Sequence, residues 1–234
     1  MKRKQQATAL ALGAIALAAA LPARASLVYL QSEALSGTGL GSVSTVLTLQ
    51  SPGNTSNEAG SVAFDGSADI VAGNTQAQNA TFSLGQLGST SASDLRIVFN
   101  AAEPGPQSSI TLANLVLSIY SPTGALLFSS GAFTPITFPA PAGNGIGNSG
   151  FLFGLDAAQA ERAQLLGYSG SFANNRIGLL ASVSDAHGGM ETFFVGTTGK
   201  GSVGALAVSE PATLALLGLA FTGAAWGGRR RKST

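Results

Sequence analysis

The segment ITLANLVLSIY at residues 110–120, followed by SPTGALLF at residues 121–128, carries the clearest structural signal in the chain. Leu115, Leu117 and Ile119 recur at every second position and therefore share one face of a β-strand. In the SPTG sequence, proline at the second position and glycine at the fourth are typical of a tight turn. The segment therefore predicts a β-hairpin in which the LLF sequence is the returning strand.

Other short apolar segments, bounded by Gly, Pro, Asn or Asp, predict the same kind of structure along most of the chain. The predicted strands are residues 27–31, 43–49, 61–65, 80–84, 95–100, 110–120, 126–130, 150–154, 176–184 and 191–197. Together they predict an all-β fold, an antiparallel β-sandwich or jelly-roll-like domain.

One short helix is predicted over residues 157–166. Asp156 is a good N-cap residue, Gln159 follows it three positions later, and Gly167 stands where a helix commonly ends. Because such a short helix is unstable alone, we expect it to cover one end or face of the sandwich.

Charge is distributed unevenly along the chain. Eight of the 12 Lys and Arg lie near the termini, so between Ser26 and Glu210 four basic residues stand against 11 acidic ones, a formal charge of −7. Nucleic-acid binding requires clustered basic side chains, so no nucleic-acid partner is expected. The chain has no cysteine, which excludes disulfides and cysteine metal ligands.

The N-terminal region is typical of a secretory signal peptide. The basic sequence KRK at residues 2–4 precedes an apolar stretch of 15 residues, 7–21, which is shorter than the roughly 20 residues of a membrane span. Ala23 and Ala25 match the small-residue rule for cleavage. We therefore predict cleavage between Ala25 and Ser26 by the general secretion machinery.

The C-terminal region reads as a membrane anchor. Residues 212–228 form an apolar run of 17 residues, and a helix of that length spans about 25 Å, the short end of a membrane crossing. Pro211 suits the first turn of a helix. Because basic residues stay in the cytoplasm, a single transmembrane helix is predicted, with the tail inside and the β-rich region outside. The basic residues of this tail are Arg229, Arg230, Arg231 and Lys232.

The motif Ser209-Glu210-Pro211-Ala212-Thr213, the apolar run and the basic cluster resemble the PEP-CTERM sorting signal of exported proteins in Gram-negative bacteria. The family motif usually begins with proline, where this chain has Ser209. The resemblance covers about the last 26 residues. It implies that the chain is the substrate of an exosortase, a transpeptidase-like membrane enzyme, and is associated with an exopolysaccharide or biofilm matrix.

These signals divide the chain into a signal peptide at residues 1–25, an extracytoplasmic domain at 26–208 and a sorting signal at 209–234. A region of about 180 residues suits one domain. The expected location is the inner membrane with a periplasmic domain before processing, and afterwards the cell surface or the extracellular space.

Residues suited to catalysis are few in the central region. His187 is the single histidine and is interpreted as a polar residue of a hairpin between strands that end at Ser184 and begin at Glu191. Ser182 and Ser184 lie nearby, but no nucleophile elbow surrounds them. No catalytic triad is therefore predicted.

Three pairs of carboxylates allow alternative interpretations. Asp65 and Asp69 lie in a predicted turn and could either help to hold Ca²⁺ or be solvated. The pairs Asp156 with Glu161 and Asp185 with Glu191 suit a glycosidase or, more simply, helix capping and exposed turns. We predict no catalytic, metal-binding or cofactor-binding residue from them.

Aromatic residues bear on glycan binding. The central region has Tyr29, Tyr120 and Tyr168 but no tryptophan, and most of its phenylalanines follow strand patterns that predict core packing. The sequence therefore favours a structural matrix component without enzymatic activity. A glycan- or calcium-binding adhesion module is the alternative, and a secreted hydrolase the least favoured.

Overall fold

The computed structural model describes residues 27–34, 44–50, 55–76, 78–101, 109–139, 149–187 and 189–198. This part of the chain is mostly β-strand with one α-helix and two short 3₁₀ turns. The strands are β1 Leu27–Ala34, β2 Ser44–Leu49, β3 Glu58–Phe64, β4 Asp69–Gly73, β5 Phe82–Ser83, β6 Leu95–Asn100, β7 Ser109–Tyr120, β8 Leu126–Ser129, β9 Ile136–Pro139, β10 Ser149–Leu155, β11 Arg176–Ser184 and β12 Glu191–Thr197, and the helix is α1 Ala157–Gly167. The 3₁₀ turns are Ala92–Asp94 and Phe172–Asn174.

The strands form two antiparallel sheets. The first has five strands in the order β1-β10-β6-β12-β2, and the second runs β4-β3-β11-β7-β8, with β5 pairing β11 and β9 pairing β7. Buried side chains of both sheets form one hydrophobic cluster. Phe138 of β9 stacks on Phe151 of β10 with ring centroids 3.9 Å apart, so aromatic contacts join the two sheets. The predicted antiparallel all-β class is confirmed.

The hairpin predicted from residues 110–128 is present. Leu115, Leu117 and Ile119 of β7 are buried together, and the Gly124 N–H donates to the Ser121 carbonyl across 3.0 Å. Gly124 has φ of 83°, a backbone conformation that favours glycine. The turn residues therefore set the return of β8 along β7 as the sequence indicates.

A β-bulge in β7 extends its buried face beyond the predicted residues. Ser182 of β11 pairs with Asn114, but the next residue pairs with Leu112, so one residue of β7 is skipped. The shift changes the phase of the alternation, which places Leu112 and Ile110 in the core as well.

Two strands escaped the sequence analysis, and a third is shorter than predicted. The missed strands, β4 and β9, are short and directly follow turns or proline. In the predicted strand 80–84, the Thr81 N–H bonds to the Asp69 carboxylate and the Ala80 N–H bonds to the Val46 carbonyl. Because these donors bond outside the ladder, only Phe82–Ser83 pairs with β11.

The predicted helix is confirmed, including its cap. The Asp156 side chain accepts a hydrogen bond from the Gln159 N–H at 2.8 Å. Gly167 is the last helical residue rather than the residue after the helix. A Cβ at Gly167 would lie 2.7 Å from a methyl carbon of Ile119, so glycine allows α1 to pack closely on β7.

The predicted hairpin around His187 is wrong. β11 and β12 lie in different sheets, so the connection between them crosses from one sheet to the other. Asp185 has φ of 62°, and the Ala186 N–H bonds to the Ser56 carbonyl. These features turn the chain away from β11. The local sequence predicts both strands. It does not predict their partner strands, because pairing depends on which buried faces pack together.

Candidate functional site

Both ends of the described domain leave it on the same side. Leu27 at the start of β1 pairs with Leu155 of β10, and Thr197 at the end of β12 pairs with Leu95 of β6. Since β10 and β6 are neighbours, these four residues lie in one row across the sheet. Three strand spacings place the two ends about 14 Å apart. We call this side the terminal end, and the opposite side, where β12 begins, the distal end.

The terminal end is closed by α1 and the segment before β6. Gln164 of α1 accepts a hydrogen bond from the Ala92 N–H at 2.9 Å, and the Tyr168 hydroxyl lies 2.5 Å from the Ser89 hydroxyl. The Thr198 N–H, at the last described residue, donates to the Asp94 carbonyl. The last described residue therefore lies beside the hydrogen bonds that join α1 to the segment before β6.

The predicted processing residues lie outside the described residues. They comprise the cleavage residues Ala23, Ala25 and Ser26 and the sorting residues Ser209, Glu210, Pro211, Ala212, Thr213, Arg229, Arg230, Arg231 and Lys232. Their roles remain predictions, as does the transmembrane helix at 212–228. None of the helices in the part of the chain that the structure describes is long and apolar enough to cross a membrane.

Arg176, which sequence analysis did not single out, contacts side chains from three segments of the domain. Its guanidinium donates to the Thr81 hydroxyl and the Thr81 carbonyl, each at 2.6 Å. It lies 3.8 Å from the Asp69 carboxylate and 4.8 Å from the centre of the Phe64 ring. The one available signal was that Arg176 is among the few basic residues of an otherwise acidic region.

These contacts assign separate structural roles to Asp65 and Asp69, the pair for which calcium binding was the alternative interpretation. Asp69 accepts hydrogen bonds from the N–H and hydroxyl of Thr81. Asp65 accepts from the N–H groups of Ser67 and Ala68, both at 2.7 Å. These bonds hold the pKa of Asp65 below its usual value. Asp65 therefore stabilises the turn between β3 and β4, whereas Asp69 connects the start of β4 to Thr81 and Arg176.

His187 and Asp185 are both exposed at the distal end. The Asp185 carboxylate accepts a hydrogen bond from the Thr111 hydroxyl at 3.3 Å, and Thr111 also contacts Thr137 at 2.9 Å. Ser182 and Ser184 lie on the outer side of β11, half-buried. These contacts connect Asp185 to β7 and, through Thr111, to β9.

Of the remaining acidic candidates, two have the predicted surroundings and Glu191 does not. Asp156 caps α1 and Glu161 is exposed on that helix, as expected. Glu191 was interpreted as part of an exposed turn, but it is buried as the first residue of β12, and Glu58 is buried at the start of β3. Within the described ranges, no three His, Cys, Asp or Glu side chains are grouped so as to hold a metal ion.

The aromatic residues serve mainly as core. Seven phenylalanines are buried, and five of them lie in predicted strands, the exceptions being Phe133 and Phe138: Phe99, Phe128, Phe133, Phe138, Phe151, Phe153 and Phe193. Tyr168 is buried as well, and burial raises the pKa of its hydroxyl. Tyr29 is partly exposed but packs edge-on against Phe138 with centroids 5.2 Å apart. Its ring is therefore engaged by the core.

The structure thus defines an antiparallel β-domain whose two chain ends leave on the side closed by α1. Residues 207–232 match the PEP-CTERM protein-sorting motif, a range that contains Ser209–Thr213 and the basic cluster. The chain therefore carries a PEP-CTERM sorting motif, which supports its interpretation as an exosortase substrate. The motif indicates export and anchoring in the membrane before processing by exosortase-type machinery. No curated protein and no solved structure matches the chain.

Proposed function

We propose that the chain is a structural protein of the cell surface or extracellular matrix, delivered by its two terminal signals. Signal peptidase cleaves before Ser26, and the membrane helix at 212–228 holds the domain in the periplasm. An exosortase then cuts near Glu210-Pro211, and the released β-sandwich joins an exopolysaccharide or biofilm matrix. The match of residues 207–232 to the sorting motif carries this proposal.

The geometry of the domain supports the same delivery. The first strand begins at Leu27, directly after the predicted cleavage site, and the last ends at Thr197, before the sorting motif. Both ends leave at the terminal end, so one side of the domain faces the membrane while the tail is anchored. A domain with this topology can be cut from its anchor without disturbing a strand.

The contacts of the polar residues favour a non-enzymatic role over the alternatives. Asp65 and Asp69 are engaged by backbone N–H groups, Thr81 and Arg176, which argues against a calcium loop. Tyr29 packs on core rings, which argues against an open stacking platform for a sugar. Asp185, the acidic residue near His187, accepts a hydrogen bond from Thr111, which argues against the hydrolase interpretation.

The test is the intact mass of the protein purified from membrane and secreted fractions of its host. We expect a species that begins at Ser26 and ends near Glu210. The Glu210→Gln variant should retain the basic tail, because the motif is damaged. Glu161→Gln, an exposed carboxamide substitution on α1, should be processed normally. A wild-type mass that retains Arg229 to Thr234 in every fraction would overturn the sorting proposal.

A further inference from the structure

Three of the four sheet edges are protected against pairing with another strand. Along β2, the Gln76 N–H donates to the Thr48 carbonyl, the Ala80 N–H to the Val46 carbonyl, and the Asn79 side chain accepts from the Thr48 N–H. The segment after β4 therefore covers this edge. Such coverage is one way in which natural proteins prevent association between sheets.

The edges at β1 and at β8 and β9 are protected by irregularity. In β1 the pairing with β10 shifts between Tyr29 and Gln31, which is a bulge in an edge strand. The third edge consists of two strands of four residues each, β8 and β9. Pro135 precedes β9 and Pro139 ends it, and proline supplies no N–H donor for a further strand.

Among the described residues, the β4 edge has no bulge and no proline, although the Gly73 carbonyl at its end already accepts a hydrogen bond from the Thr75 N–H. β4 is the last strand of its sheet, and its register with β3 is continuous from Asp69 to Gly73. The strand contains no lysine or proline, and Ile70 and Val71 are 48% and 41% exposed. Its single charge, Asp69, is paired with Arg176. An open, apolar edge of this kind is suited to pairing with another strand.

The surface beside this edge is also uncharged. Ile70 and Ala72 share a face with Ala63 and Ser61 of β3, their direct partners. Leu180, which is opposite Ser61 in β11, is exposed on the same face. The side chains named on this face are uncharged, so an identical edge could approach it without charge repulsion.

We propose that β4 pairs antiparallel with β4 of a second copy of this chain. Two-fold pairing centred on Val71 places Val71 opposite its own equivalent and Ile70 opposite Ala72. Asp69 then lies opposite Gly73 rather than another carboxylate. Such an interface is self-complementary, as a two-fold dimer requires. The ladders of the two copies become one continuous sheet, which gives a matrix protein a means of self-association.

The test uses the absence of cysteine from the chain. In full-length Val71→Cys protein, the two thiols of a dimer would lie at directly opposed strand positions, where Cα separations of about 4.5–5.5 Å permit a disulfide. Mild oxidation should convert most of the protein to a covalent dimer. Leu126→Cys, a 58% exposed position on the protected β8 edge, is the matched control and should remain monomeric.

Three results would overturn the proposal. Val71→Cys could remain monomeric while its thiol reacts with maleimide, both variants could cross-link equally, or mass spectrometry could identify a different protein as the cross-linked partner. A second variant makes the test independent of the disulfide. Ile70→Lys should reduce the sedimenting mass of the full chain from dimer to monomer, since lysine on an edge opposes pairing. Dimers that persist in Ile70→Lys contradict pairing through β4.

Discussion

At the residue scale, Arg176 shows how one side chain can organise a region that its neighbours in sequence do not predict. Its partners Phe64, Asp69 and Thr81 belong to three different segments. Two strong donor contacts, an ion pair and a ring contact meet at one guanidinium. The planar fork of arginine suits this arrangement better than the point charge of lysine.

We therefore expect Arg176→Lys to reduce the free energy of unfolding by about 1–2 kcal/mol. Lysine retains the charge but cannot reach both Thr81 acceptors, and Thr81 is buried. The measurement is urea denaturation of the two proteins. Arg162→Lys, an exposed substitution on α1, should change the value by less than about 0.5 kcal/mol. Equal effects at the two positions would show that the Arg176 contacts do not contribute to stability.

At the scale of elements, the sequence predicts the location of strands better than their partners. Period-2 alternation and turn residues place β6, β11 and β12 at their observed bounds, because these signals are local. The assignment of β11 and β12 to different sheets depends on which buried faces meet. The Arg176 contacts escape prediction for the same reason, since Thr81 and Arg176 are 95 residues apart.

The attachment of α1 is another non-local feature, and it depends on Tyr168 directly after the helix. The Tyr168 hydroxyl contacts the Ser89 hydroxyl at 2.5 Å, while its ring packs 5.2 Å from that of Phe172. The Asn175 side chain donates to the Gly167 carbonyl at 2.8 Å. A helix with so few buried residues of its own needs these contacts at its C-terminal end.

Tyr168→Phe tests this attachment through pH. Burial raises the pKa of Tyr168 above the roughly 10 of an unfolded chain, so the folded protein binds this proton more tightly. The resulting stability is complete below about pH 10 and declines as the pH rises toward the folded pKa. Near pH 7 the variant should lose about 1 kcal/mol with its hydrogen bond.

The difference in unfolding free energy between wild type and Tyr168→Phe should therefore narrow as the pH rises above about 10, as measured by urea denaturation at each pH. Ser89→Ala is the matched control, because it removes the same hydrogen bond but keeps the phenol. Its alkaline decline should remain as steep as that of the wild type. If Tyr168→Phe declines equally steeply, the Tyr168 proton does not contribute to folding.

At the scale of the whole molecule, the row of residues at the terminal end of the first sheet bears on how the domain is oriented when its tail is anchored. Leu155 and Leu95 bring the start of β1 and the end of β12 to one end. α1 lies at that end because it follows β10 directly. The connection that carries His187 lies at the other end, after β11. An anchored domain therefore presents α1 toward the membrane and His187 away from it.

Single fluorophores can test this orientation. Leu165, exposed on α1, and Met190, exposed at the distal end, are each replaced by cysteine in the cysteine-free chain and labelled. The two labels are separated by about the length of β11, nine residues, or about 30 Å. In Glu210→Gln protein held in lipid vesicles, the donor at Leu165→Cys should transfer more energy to an acceptor on the lipid surface.

The expected difference follows from where the tether is attached. Residues 199–211 extend at most about 45 Å, so the end of the domain to which they are attached is expected to lie closer to the membrane on average. Vesicles that carry the label but lack the acceptor provide the baseline for each position. Equal transfer from the two sites, or more from Met190→Cys, would mean that the terminal end does not face the membrane. The proposed cleavage near Glu210-Pro211 would then have to take place with the domain in a different orientation.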